Sequence, residues 1–125
     1  MENLDQLCSR YLQDAIPIRL GGLAANLARI ASFSKYPGHQ EAVADILVES
    51  KWFIEWTAAE LEVPKAAELV GLQLKLAQWD WDRRQNWHDE NWRNMLADNA
   101  RRWSEYILEM SGLLPQARRD SAMRE

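Results

Sequence analysis

Apolar residues recur along this chain at spacings of three and four, the period of one face of an α-helix, over most of the length. The first such run is Leu4, Leu7, Cys8, Tyr11, Leu12 and Ala15, preceded by Asn3, a good N-terminal cap. Pro17 lacks a backbone donor, so the first helix is expected to end or kink near Ile16, with helix resuming at the proline. Beyond it Ile16, Leu20, Leu23, Leu27 and Ile30 keep a 4-3-4-3 spacing. A second stripe of small residues, Gly21, Ala25, Ala28 and Ser32, would let a neighbouring backbone come close, while Gly22, Asn26, Arg29 and Phe33 face elsewhere. Because the apolar period runs through Gly21-Gly22 unbroken, that pair is read as continuous helix.

Tyr36-Pro37-Gly38 is the clearest turn signal. A helix is predicted from about His39 to Glu62, with Val43, Leu47, Ile54 and Leu61 on its inner face, widened by Ile46 and Phe53. Trp52 and Trp56 form an i, i+4 pair on its shoulder. Val63-Pro64 then stops one helix and starts the next.

From Leu69 to Asp82 the pattern has two readings. Leu72, Leu74 and Leu76 alternate with polar residues as in a half-buried strand, but no other stretch alternates well enough to pair with it, so helix is preferred. As a helix it carries two apolar stripes: Leu69, Leu72, Leu76 and Trp79, and Val70, Leu74, Ala77 and Trp81. Gln73 and Asp80 separate them on one side, and Lys75, Gln78 and Asp82 on the other, so one core contact cannot bury both. The helix is therefore either central or in contact with another chain.

Arg83 to Asn86 marks a helix end or bend. Asp89 is placed to cap a last helix from Glu90 to Ser111, where Trp92, Leu96, Ala100, Trp103, Ile107, Met110 and Leu114 form a bundle-type seam. Gly112 suits its C-terminal stop. Residues 115–125 are polar and aperiodic, as in a flexible, disordered tail. The expected fold is all-α: one domain over 1–114, an antiparallel four-helix bundle whose first helix is kinked near Pro17, or five helices if that kink is a break.

Composition narrows the functional classes. The chain has 125 residues, enough for one stable core, with 15 Lys and Arg against 19 Asp and Glu, a net charge of −4. That balance disfavours nucleic acid and anionic lipid as partners, since both need a clustered basic surface. Arg83 to Arg102 includes several arginines, but Asp89, Glu90 and Asp98 offset them. The single cysteine, Cys8, excludes an intrachain disulfide and fits a reducing compartment. Met1 to Asp5 has neither the basic start nor the apolar run of an export signal, and Arg19, Asn26 and Arg29 interrupt the most apolar stretch, so a cytoplasmic protein with no membrane span is expected.

No cofactor or metal is expected. There are two histidines, His39 and His88, and no Glu-x-x-His pair, and the carboxylates Glu41, Asp45 and Glu49, one turn apart, read as a solvated face. Six of the seven tryptophans fall between Trp52 and Arg93. Tryptophan anchors cores and interfaces far more often than it catalyses. The leading expectation is a non-enzymatic helical protein working through protein contacts, with itself as a homodimer or with another helical protein. Its interface candidates are Val70, Leu74, Trp81, Trp87, Trp52 and Trp56.

Arg83-Arg84-Gln85-Asn86-Trp87-His88 resembles the Arg-x4-His signature of HEPN ribonucleases, small all-helical proteins that cut RNA at a dimer interface. The resemblance covers six residues. It implies an alternative, a metal-independent dimeric ribonuclease in which Arg83 stabilises the phosphate and His88 handles the proton; Arg84 stands where that family often has Asn, His or Asp. A third expectation is a sensor holding an apolar small molecule between tryptophans.

Overall fold

The computed structural model describes residues 3–113. Within them the chain is helical without strands: α1 (Leu4–Leu12), α2 (Ile16–Phe33), α3 (Gln40–Thr57), α4 (Val63–Asn86) and α5 (Glu90–Ser111), with single 3-10 turns over Pro37–His39 and Ala58–Glu60. The tail expected at 115–125, and Leu114 of the last seam, lie outside the described residues.

Local chemistry sets most of the boundaries. The Asn3 side chain accepts the Gln6 backbone N–H at 2.8 Å, and the Gln6 side chain accepts the Asn3 N–H at 3.2 Å, a reciprocal cap that starts α1. Pro17 and Pro64 each sit in the first turn of a helix, where their missing donor costs nothing. The Asp89 carboxylate accepts the N–H of Asn91 at 2.9 Å and opens α5. Gly112, at φ 77°, closes it in the left-handed conformation that favours glycine.

Two boundaries differ from the sequence reading. The N-terminal segment is two helices, because α1 stops at Leu12, before the proline is reached. Arg19 makes that break: its Nη2 donates to the Leu12 carbonyl at 3.2 Å and its Nε to the Asp14 carbonyl at 2.9 Å, occupying acceptors a continuing helix would have used. Its Nη1 meets Glu60 at 2.5 Å. The α3 segment also ends early, at Thr57, because the chain tightens into the 3-10 turn that delivers Glu60 to Arg19 and then runs extended through Leu61 and Glu62.

The core follows the predicted stripes. Leu20, Leu23, Leu27 and Ile30 of α2, Val43, Leu47 and Ile54 of α3, and Leu96, Ala100 and Ile107 of α5 are buried together. Burying each large aliphatic side chain contributes about 1.5–3 kcal/mol. The small stripe of α2 does otherwise than expected. Ala25, Ala28 and Ser32 are exposed, and what closes on Gly21 is the Leu113 side chain, whose Cδ1 lies 2.8 Å from where a Cβ would stand. Ala24 and Ala31 are the small residues that face the core.

Polar groups inside this core are paired across long sequence distances. Asn26 donates to Glu49 at 3.1 Å and to Ser50 at 3.3 Å, joining α2 to α3. Ser104 donates to the Ala24 carbonyl at 2.7 Å, joining α5 to α2. The Tyr11 hydroxyl donates to the Arg19 carbonyl at 2.8 Å, and its ring stacks on Phe53 with centroids 4.0 Å apart.

Burial pushes the Tyr11 hydroxyl up from 10.0 to about 12, against the smaller lowering effect of its hydrogen bond with Thr57. Since the folded value lies above the unfolded one, this stabilisation is intact below pH 10.0 and is lost as pH rises toward about 12. Alkaline unfolding followed by far-UV circular dichroism should therefore show a falling stability over that window, and Tyr11→Phe should flatten this part of it. An identical alkaline profile in the two proteins would refute the assignment.

Candidate protein-binding face

Helix α4 is two-faced, and the structure sorts its stripes. Leu69, Leu72, Leu76 and Trp79 are buried. The opposite stripe is open to solvent, with Val70 45%, Leu74 70% and Trp81 62% exposed and Ala77 also exposed. The segment is one unbroken helix, so the strand reading falls. The apparent alternation arises because residues i and i+4 project 40° apart on a helix, while i+2 projects about 200° away.

Burial of the inner stripe sets this rotation, and the polar flank between the stripes is placed in agreement with it. Gln73 donates to the Lys51 carbonyl and to the Glu55 carboxylate, both at 3.2 Å. Asp80 accepts from Arg83 Nε at 2.8 Å and lies 4.0 Å from the Lys51 ammonium. These contacts tie one edge of α4 to α3. They agree with a rotation that turns Leu72 and Leu76 inward and leaves Leu74 and Trp81 outside.

The exposed face extends past the residues first singled out. Val63 continues the outer stripe backward and is 81% exposed, with exposed Ala67 between it and Val70. The signal was present in the sequence: carrying the 4-3 spacing back from Val70 reaches both residues. Arg84 lies over the Trp81 ring, its guanidinium carbon 5.5 Å from the centroid. On the neighbouring helix, Trp52 and Trp56 stack with centroids 5.8 Å apart. Trp56 is half-buried, tilted against Tyr11 and Phe53, whereas Trp52 is exposed beside Val48. Val48 and Trp52, with Lys51, Glu55 and Gln73, line a shallow groove of about 320 Å³ along the α3–α4 edge.

Trp87 requires a correction. It was expected among the surface candidates, yet it is 2% exposed. Its indole N–H donates to the Pro37 carbonyl at 2.7 Å, and Arg93, itself buried, donates to the Trp87 carbonyl at 2.6 Å and lies 5.8 Å from the ring centroid. Trp87 is thus a corner clamp between the turn after α4 and the turn after α2. Its ring meets Trp92 edge-on at 6.5 Å.

The two residues of the ribonuclease-like hexapeptide lie on either side of this corner. Arg83 is in the last turn of α4, engaged by Asp80, and its carbonyl accepts from Gln40 at 3.4 Å. His88 is exposed in the turn between α4 and α5. Among the described residues, no three of His, Cys, Asp and Glu come together as a metal ion would need, and no helix is long and apolar enough to cross a membrane. In comparison with known proteins, no family model matches the chain, and no curated protein or solved structure matches it closely enough to be called similar.

Proposed function

We propose that this chain is a non-enzymatic helical-bundle protein that acts through protein contacts and self-associates through the outer face of α4. One observation carries the reading: an apolar stripe running from Val63 to Trp81 lies opposite the buried stripe of the same helix and is left uncovered by the described residues. Contiguous exposed apolar surface of this kind marks contact sites, whereas single exposed apolar residues are ordinary. The aromatic side chains at its edge, Trp81 and Trp52, are of the type that dominates interface energetics.

We read the four longer helices as an antiparallel bundle, with α1 laid across one end. Paired contacts support it: Arg19 with Glu60 and Asn26 with Ser50 for α2 and α3, Lys51 with Gln73 and Gln40 with Arg83 for α3 and α4, Gly21 with Leu113 and Ala24 with Ser104 for α2 and the α5 end. In this arrangement the bundle is a rigid platform and α4 its presenting helix. A reducing, cytoplasmic setting suits the lone Cys8.

Trp81→Glu tests the reading. The variant should keep its helical circular dichroism and weaken association about 30-fold or more, the loss expected when a hot-spot side chain worth at least 2 kcal/mol is removed. Unfolding of the variant would assign Trp81 to the core, and undiminished association would move the contact elsewhere.

A further inference from the structure

The outer stripe of α4 is self-complementary. Val63, Ala67, Val70, Leu74, Ala77 and Trp81 follow one another at spacings of 4, 3, 4, 3 and 4, a series that reads the same from either end, and all six are exposed. We infer that the partner on this face is a second copy of the chain, its α4 lying antiparallel to the first about a two-fold axis level with Leu72. This rests on the reading of the stripe as a self-association face and adds to it the direction and the register.

In that register Val63 of each copy meets Trp81 of the other, Ala67 meets Ala77, and Val70 meets Leu74. The largest side chain is set against a β-branched one at each end, alanine opposes alanine in the next layers and Val70 meets Leu74 at the centre, so two helices can seat over about 27 Å of their length. A two-fold contact demands such a match of a surface with itself. The charges agree. Antiparallel pairing brings Arg84 of one copy to the same flank as Glu62 of the other and within about 3 Å of its level, an opposite-sign pair made twice by symmetry. It also opposes the two helix dipoles and gathers the exposed Val48 and Trp52 edges of both copies on one side of the seam.

Gly71 gives an independent observation. It lies in the middle of a continuous helix, it is exposed, and a Cβ added there would meet nothing within 4 Å. Glycine weakens a helix interior, and nothing among the described residues requires its lack of a side chain. It stands level with the inferred axis, on the flank of the stripe beside Val70 and Leu74. A glycine there admits the second helix.

Cysteine pairing tests the register. In a Cys8→Ser background, Ala67→Cys with Ala77→Cys should give a covalent dimer on mild oxidation, and neither cysteine alone should. Within one helix these positions are about 15 Å apart, beyond the roughly 7 Å a disulfide can span, so any bridge is between copies. A covalent dimer from Ala67→Cys alone would mean parallel pairing, and an associated protein that does not cross-link would mean another register; either overturns the inference and leaves self-association standing. A monomeric mass for the unmodified chain by light scattering would remove self-association itself. Gly71→Ala should keep the helix and weaken dimerisation about tenfold or more through overpacking at the crossing. Unchanged or tighter dimerisation in that variant would remove Gly71 from the contact and the proposed axis with it.

Discussion

Leu76→Ala is expected to cost about 2–5 kcal/mol of stability, while Leu74→Ala, two residues earlier on the same helix, is expected to change it by less than about 0.5 kcal/mol. Leu76 is fully buried and would leave a cavity, whereas Leu74 is 70% exposed and would leave none. The comparison belongs in the Trp81→Glu background, so that any loss of association at Leu74 does not enter the balance. Urea unfolding gives both values, from midpoint shifts at unchanged slope. Equal losses at the two positions would mean that the rotation of α4 is wrong.

The second large effect is at the corner. Trp87→Ala is expected to lose about 3–5 kcal/mol, the range for a large aromatic side chain truncated in a core. That is a substantial part of the roughly 5–15 kcal/mol that holds a domain folded. Trp87→Phe should retain most of the packing and lose the indole donor to the Pro37 carbonyl, leaving that acceptor unpaired at a cost of about 1–3 kcal/mol. The graded series separates the clamp from a surface tryptophan: Trp81→Phe, tested in the same way, should leave the monomer's stability within about 0.5 kcal/mol of the starting protein. A neutral Trp87→Ala would contradict the burial of this residue and return it to the surface candidates.

The fold was readable in the sequence wherever a local signal decides the outcome. Asn3, Pro17, Pro64, Asp89 and Gly112 mark helix ends because capping and proline geometry act within one turn. The inner stripes of α2, α3 and α5 were equally plain, since a helical period is a property of the segment alone. What escaped depends on how helices are rotated against one another. Local spacing gives Gly21, Ala25, Ala28 and Ser32 as one stripe but not the direction it faces, and the packing of α2 turns most of it to solvent. Arg19 and Arg93 are buried, each held by backbone carbonyls five to seven residues away across a helix boundary. Trp87 was misplaced because its partner Pro37 is 50 residues away.

The candidate face was legible in outline, as two stripes on one helix that a single contact could not bury. Which stripe stays outside was settled by contacts with α3, and its full length emerged once Val63 and Ala67 were seen to be exposed. Several carboxylates hold the fold together. Asp80 orders Arg83 and faces Lys51, Glu60 holds Arg19, and Glu49 meets Asn26.

Molar mass by light scattering across a dilution series, at low and moderate salt, tests the central claim most directly. The account expects the chain to run at twice its 14.6 kDa while concentrated, and Trp81→Glu to run at 14.6 kDa under the same conditions. A chain that stays at 14.6 kDa at every concentration and salt would contradict self-association through α4.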